Sequence, residues 1–225
     1  MSHLPVGSRR EPLPVTAADV DTASRRLAGV ISETPLQYNE RLSEATGAQV
    51  WLKREDLQPV RSYKIRGAYN LIAQLTDDER AAGVIAASAG NHGQGVAMAC
   101  AALGIRGRIF VPSTTPRQKR DRMRHFGKEF IELVVVGDAY DEASAAAKQA
   151  AAESGAVIVT AFDDARTIAG QGTVAKETVE QLGREPDRII LPVGGGGLLA
   201  GSLVWLAARS PKTSVTAAEP TGAAC

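Results

Sequence analysis

Short apolar runs rich in strand-forming residues alternate along this chain with longer stretches of helical pattern, and that alternation limits the folds open to it. The runs are "AQVWLKRE", "GVIAAS", "GRIFVP", "EFIELVVVG", "AVIVTAF", "RIILPV" and "TSVTAAE". Most of them are separated by ten or more residues with helical spacing. The pattern therefore predicts βαβ units and parallel sheets with both faces covered. "TAADVDTASRRLAGVI" opens with Thr16 and an acid three residues later, Asp19, a capping-box start for a helix. Gly104 and Gly155 are placed as stop signals for two later helices. Residues 1–15, rich in Pro and Gly, predict a loose arm. No repeat recurs at a fixed period. After the last strand run only "EPTGAAC" follows, so the chain is expected to stop short of a closing helix.

Composition narrows the partners. With 225 residues, 44% hydrophobic and 23% charged, the chain can bury a core in one large domain or two small ones. Aromatics are only 4%, which with abundant Ala and Gly suits helices packed closely on a sheet. A net charge of +1 gives no general attraction to nucleic acid or an acidic membrane. The basic run "RQKRDRMRH" (117–125) has no interleaved aromatic and reads as a solvated helix face. Cys100 and Cys225 make no disulfide framework and no CxxC pair, and Cys100 lies in an apolar helix pattern as a core residue. No apolar run has transmembrane length, and the N-terminus carries no hydrophobic signal core. The expectation is a cytoplasmic protein with no nucleic-acid or membrane partner.

Three stretches carry chemistry. In "RIILPVGGGGLLAGSLVWLAARS" a strand runs into Gly194, Gly195, Gly196 and Gly197 and then into an apolar helix. Backbone N–H groups can crowd round an anion there, helped by the helix dipole. No Lys-Ser/Thr follows, so it is not a P-loop. Gly195, Gly197 and Ala200 satisfy G-x-G-x-x-A, and Glu219 follows the next strand, so a dinucleotide site stays open beside a phosphate cradle. In "VRSYKIRGAYN", Lys64 stands at the start of a helix, where a Schiff-base lysine would need a fixed place and a depressed pKa. In "AASAGNHGQGVA", Ser88, Ala89, Gly90, Asn91 and His92 form a strand-to-helix turn whose donors suit a carboxylate, and Asn91 could donate to a phenolic oxygen. His92 reads either as a turn residue or as a ligand contact, and Arg66 as the partner of a structural carboxylate rather than of phosphate.

Taken in order, S-x-K-x-R-G, S-A-G-N-H-G-Q-G and G-G-G-G-L resemble the pyridoxal-phosphate enzymes of the tryptophan-synthase β fold type, and most of all the threonine/serine dehydratases. The likeness runs from "ETPL" through "KREDLQ" and "FDDARTIAGQGT" to the end. It implies an α/β fold of two parallel-sheet subdomains. Residues 16–57 with 156–225 would form the larger, cofactor-binding one, incomplete here, and 58–155 the smaller. It implies that Lys64 carries pyridoxal 5'-phosphate, that Asn91 bonds its 3-hydroxyl oxygen, and that Gly194–Gly197 with Leu198 hold its phosphate. Ser88 to His92 would receive the substrate carboxylate, and Tyr63 is the family's aromatic before the lysine.

Related serine racemases have a serine directly before the Gly-Asn of this loop, whereas this chain has Ala89, which favours elimination. The group that bonds the pyridine nitrogen, and a regulatory domain, are expected beyond residue 225. The implied reaction is dehydration and deamination of L-threonine, and of L-serine, to 2-oxobutanoate or pyruvate and ammonia, a first step of isoleucine biosynthesis. A homo-oligomer and no metal are expected. Two other readings are an NAD-dependent oxidoreductase, which leaves Lys64 and Asn91 unexplained, and an inactive cofactor-binding fragment.

Overall fold

The computed structural model describes residues 15–222, so Cys225 and all of the predicted arm except Val15 lie outside the described residues. Val15 itself is buried beside Val20, Ala23 and Trp205. The elements in order are α1 (Ala17–Leu27), β1 (Leu36–Tyr38), α2 (Glu40–Thr46), β2 (Trp51–Lys53), α3 (Lys64–Ile72) and α4 (Asp77–Ala82). Then come β3 (Val84–Ala87), α5 (Asn91–Leu103), β4 (Gly107–Val111), α6 (Arg117–Gly127), β5 (Ile131–Val135) and α7 (Tyr140–Ser154). The chain closes with β6 (Val157–Ile158), α8 (Ala165–Leu182), β7 (Arg188–Pro192), α9 (Gly197–Arg209) and β8 (Ser214–Ala218). The predicted boundary signals act where expected. Thr16 and Asp19 satisfy each other's backbone N–H at the start of α1. Gly104 and Gly155 end α5 and α7 in the left-handed conformation, with φ of 66° and 72°.

Four strands form a parallel sheet in the order β5-β4-β3-β6. Strand alternation sends Val84, Ala86, Ile109 and Val111 to one face, against Leu71 and Ile72 of α3 and Val96 and Cys100 of α5. It sends Ile85 and Phe110 to the other, against Ala143, Ala147 and Ala151 of α7. Each fully buried Ile or Leu contributes roughly 1.5–3 kcal/mol, so this doubly covered sheet is a main source of the fold's stability. Cys100 belongs to that core, and burial pushes its thiol up to about 12. In α6 Met123 packs inward while Arg117, Lys119 and Arg124 are exposed.

Three features depart from the sequence pattern. β1 and β2 pair antiparallel, Gln37 opposite Leu52, because the chain doubles back through the short α2. The "AVIVTAF" run makes only a two-residue ladder at β6; past Val159, whose N–H donates to Ile85 O, side chains rather than a strand take its carbonyls. Finally, β7 and β8 pair parallel, yet only one face is covered among the described residues. Leu191 packs on Val174 and Leu198, while Ile190 on the other face is 66% exposed.

Helix α8 joins the two sheet regions. A methyl on Gly170 would stand 2.6 Å from Arg66 O of α3, and one on Gly172 2.6 Å from Gly201 O of α9. Only glycine permits these crossings, and they draw the starts of α3 and α9 together.

Candidate active site

Lys64 is the first residue of α3. Arg61, three residues earlier, has φ +60°, a left-handed turn that interrupts the chain before the helix. Ser62 is buried, and its Oγ accepts the Lys64 backbone N–H at 3.3 Å. The Lys64 side chain is half-buried, with Nζ 5.1 Å from the Tyr63 ring centroid. It donates to Ala161 O at 3.1 Å and has no carboxylate partner among the described residues. Burial holds its amine below the usual lysine range.

Arg66, on the same helix, is fully buried and the opposite in kind. Its guanidinium donates to both Glu55 oxygens (2.7 and 2.8 Å), to Glu177 (2.9 Å) and to Thr173 (3.1 Å). Lys53 joins from the other side through Glu177, Gln181 and the Thr34 carbonyl. Burial pushes the Glu177 carboxyl up, but the hydrogen bonds from Arg66 and Lys53 hold it below the ordinary carboxylate range. Arg66 thus pairs with structural carboxylates, as its sequence context suggests.

The Ser88–His92 turn links β3 to α5. Ser88 Oγ accepts from Gly90 N (3.3 Å) and Gly93 N (3.1 Å), which fixes the turn. The N–H groups of Asn91 and His92 find no acceptor among the described residues, as befits the first turn of a helix. The Asn91 side chain is exposed and makes no hydrogen bond within them. His92 points inward: Nε2 lies 2.8 Å from Val159 O, so Nε2 carries the proton and Nδ1 is left buried without a partner among the described residues. Burial lowers its pKa to about 4, which keeps the ring neutral. The imidazole is committed to the fold, leaving only the His92 backbone to face a ligand.

Gly196 has φ +81° and precedes α9 without any side-chain cap. The first-turn N–H groups of Gly197 and Leu198 have no acceptor among the described residues. Apart from the glycine's own chain neighbours, no atom of the described residues lies within 4 Å of a Cβ built on Gly194 or Gly196. A Cβ on Gly195, by contrast, would fall 2.1 Å from the Phe162 ring, and one on Gly197 2.9 Å from Phe162 Cα. Two of the glycines therefore answer to a neighbouring side chain. Leu198 turns its side chain into the core beside Leu191 and Tyr63. Ala200 is half-buried in α9 and Glu219 exposed just past β8.

The three motifs meet on one segment, residues 159–162. Val159 O takes His92, Ala161 O takes Lys64 Nζ, and Phe162 packs on the glycine loop. Thr167 Oγ1 donates to Thr160 O at 3.2 Å and ties the segment to α8. Sequence reasoning read this stretch as a strand; the adjoining "FDDARTIAGQGT" was the signal that more depended on it.

Residues 27–225 match a family model described as pyridoxal-phosphate dependent enzyme. The chain is 56% identical over 224 residues to the biosynthetic L-threonine dehydratase IlvA of Mycobacterium leprae, covering all of this chain and 52% of that protein. It is 56% identical to the protein of the same name from Corynebacterium glutamicum, covering 93% of this chain and 49% of that one. The chain thus spans about half the length of the curated relatives it matches. Among solved structures, the processed form of threonine deaminase isoform 2 from Solanum lycopersicum superposes with a TM-score of 0.87 at 38% identity, covering 92% of this chain and 60% of that one. Maize serine racemase gives a TM-score of 0.88 at 31% identity, covering 93% and 62%. The dinucleotide reading gains no support from these relatives.

Proposed function

Since the chain belongs to the pyridoxal-phosphate dependent enzyme family, we propose that it serves the dehydration and deamination of L-threonine, and of L-serine, to 2-oxobutanoate or pyruvate and ammonia, as a first step of isoleucine biosynthesis. The observation that carries this reading is the Lys64 amine: half-buried, held by one carbonyl, lowered in pKa and without a carboxylate among the described residues. The donors around it fit the cofactor. First-turn N–H groups of α9, with open space beside Gly194 and Gly196, suit its phosphate, and the unengaged Asn91 amide suits its 3-hydroxyl oxygen.

In this reading Lys64 would hold the cofactor in the resting protein, and its Nζ, set free once the substrate's amino group has taken its place, would take the proton from the substrate α-carbon. Burial, by favouring the neutral amine, readies it for that task. When bound, the cofactor supplies a conjugated ring that takes up charge developing on the α-carbon. Asn91 and His92 offer backbone N–H groups to the substrate carboxylate, within the Ser88–His92 turn that Ser88 Oγ holds in shape. Ala89 brings no hydroxyl to that turn, so no second acid stands there to return the proton from the opposite face. The β-hydroxyl would depart as water, taking up a proton in place of the one Lys64 Nζ removed, and the enamine released would take up water to give the 2-oxo acid and ammonia. We read residues 16–57 with 156–225 as one subdomain and 58–155 as the other; β3, β4 and β5 fall within 58–155, while their sheet also takes β6 (Val157–Ile158) from just past that boundary. We further propose a cytoplasmic homo-oligomer that binds neither nucleic acid nor membrane. No described helix is long and apolar enough to cross a membrane, and no described group of His, Cys, Asp and Glu is placed to hold a metal.

Adding pyridoxal phosphate and recording the visible spectrum, then assaying 2-oxobutanoate from L-threonine in the full-length protein, tests the reading. A lysine-bound absorbance and threonine-dependent product are expected. A colourless, inactive full-length protein would refute it.

A further inference from the structure

Phe162 is a large aromatic side chain left 44% exposed, and it belongs to none of the hydrophobic clusters of the core. It is nonetheless closely held. A Cβ on Gly195 would meet three of its ring atoms at 2.1–2.5 Å, and a Cβ on Gly197 would meet its Cα, Cβ and carbonyl oxygen at 2.9–3.1 Å. The ring and backbone of Phe162 therefore lie in van der Waals contact with alternate glycines of the loop. The residue is fixed on both sides. Ala161 O accepts Lys64 Nζ at 3.1 Å, and Asp164 caps α8 by accepting from Arg166 N at 2.7 Å.

We propose that Phe162 is a positioning residue for the glycine loop, bracing Gly195 and Gly197 so that the N–H groups at the start of α9 converge on the phosphate of a bound ligand. The inference rests on the reading above and extends it. A loop of four glycines has wide conformational freedom, and a ligand that must order it binds more weakly. A rigid ring against two of the four removes much of that freedom before binding. It also keeps water from one side of the loop, which strengthens hydrogen bonds to an anion. Because the adjoining Ala161 holds the Lys64 amine, one short segment sets the distance between the amine and the phosphate cradle.

The test compares two ligands that differ only in the phosphate. Dissociation constants for pyridoxal phosphate and for pyridoxal are read from the absorbance of the bound ligand, in the unaltered full-length protein and in its Phe162→Ala and Phe162→Tyr variants. Phe162→Ala is expected to weaken pyridoxal phosphate about tenfold while leaving pyridoxal within about twofold. Phe162→Tyr keeps the ring and is expected to stay near the unaltered chain for both. Gly195→Ala is expected to lose the preference for the phosphorylated ligand, and adding Phe162→Ala to restore part of it by removing the clash. Equal weakening of both ligands by Phe162→Ala, or no weakening, would overturn the proposal and leave the reading of Lys64 intact. Failure of the unaltered full-length protein to bind pyridoxal phosphate would overturn that reading and the proposal together.

Discussion

Two basic residues at the start of α3 sit in opposite surroundings. Arg66 is fully buried and has two carboxylates, Glu55 and Glu177, with Lys53 completing the cluster. Lys64 is half-buried and has one carbonyl oxygen. Burial lowers the amine pKa of both Lys53 and Lys64, but at Lys53 the hydrogen bond to Glu177 opposes it, and at Lys64 nothing does. A fold that neutralises one buried cation so thoroughly leaves the other uncompensated only where the loss in stability serves chemistry. The clamp around Arg66 holds α3; the free amine is what α3 presents.

The sharpest way to break this comparison is to exchange the two residues' fates by mutation. Lys64→Ala is expected to abolish cofactor attachment and to lower threonine turnover in the full-length protein by about 10³-fold or more, while urea unfolding changes little. Arg66→Ala should do the reverse to stability. It takes the cation from Glu55 and leaves Glu177 with Lys53 alone, and a cost of ~3–5 kcal/mol is expected in the same urea titration. If the two variants lose stability equally, the distinction between clamp and free amine fails.

His92 sharpens the comparison with a smaller effect. The fold keeps it neutral, with a pKa of about 4 against 6.5 for an ordinary histidine, so the unfolded chain binds its proton first as pH falls. Its contribution is fully present above pH ~6.5 and is lost progressively down to about 4, ~3 kcal/mol in all. His92→Gln, compared with the unaltered chain by urea unfolding at several pH values, should flatten the stability profile over that window. Parallel profiles would show that the buried ring is not what the acid attacks.

Much of this could be read from local pattern. The Thr16 capping box, the Gly104 and Gly155 stops and strands β3, β4, β5, β7 and β8 all rest on residues within one element, where sequence spacing and structure are the same information. The three motifs were equally legible, because each lies in one strand-to-helix turn or at one helix start. What escaped were contacts between distant segments. Nothing in "AVIVTAF" announces that Val159 O faces His92 and Ala161 O faces Lys64, since a carbonyl has no sequence signature. Four adjacent glycines read as one ligand cradle, yet two of them also make room for Phe162. Sequence suggested a carboxylate for Arg66 without saying which, and Glu177 lies 111 residues away. The antiparallel β1–β2 pair was hidden because three-residue strands carry too few positions for a period to emerge.

The central claim is that Lys64, and not Lys53, which is also partly buried, is the reactive amine. Reducing the pyridoxal-phosphate-loaded protein with borohydride and mapping the pyridoxyl group by peptide mass spectrometry tests it directly. The label is expected on Lys64 alone, with Lys53 protected by Glu177. Label on Lys53 or on any other lysine, in a sample that shows the bound cofactor's absorbance before reduction, would contradict it.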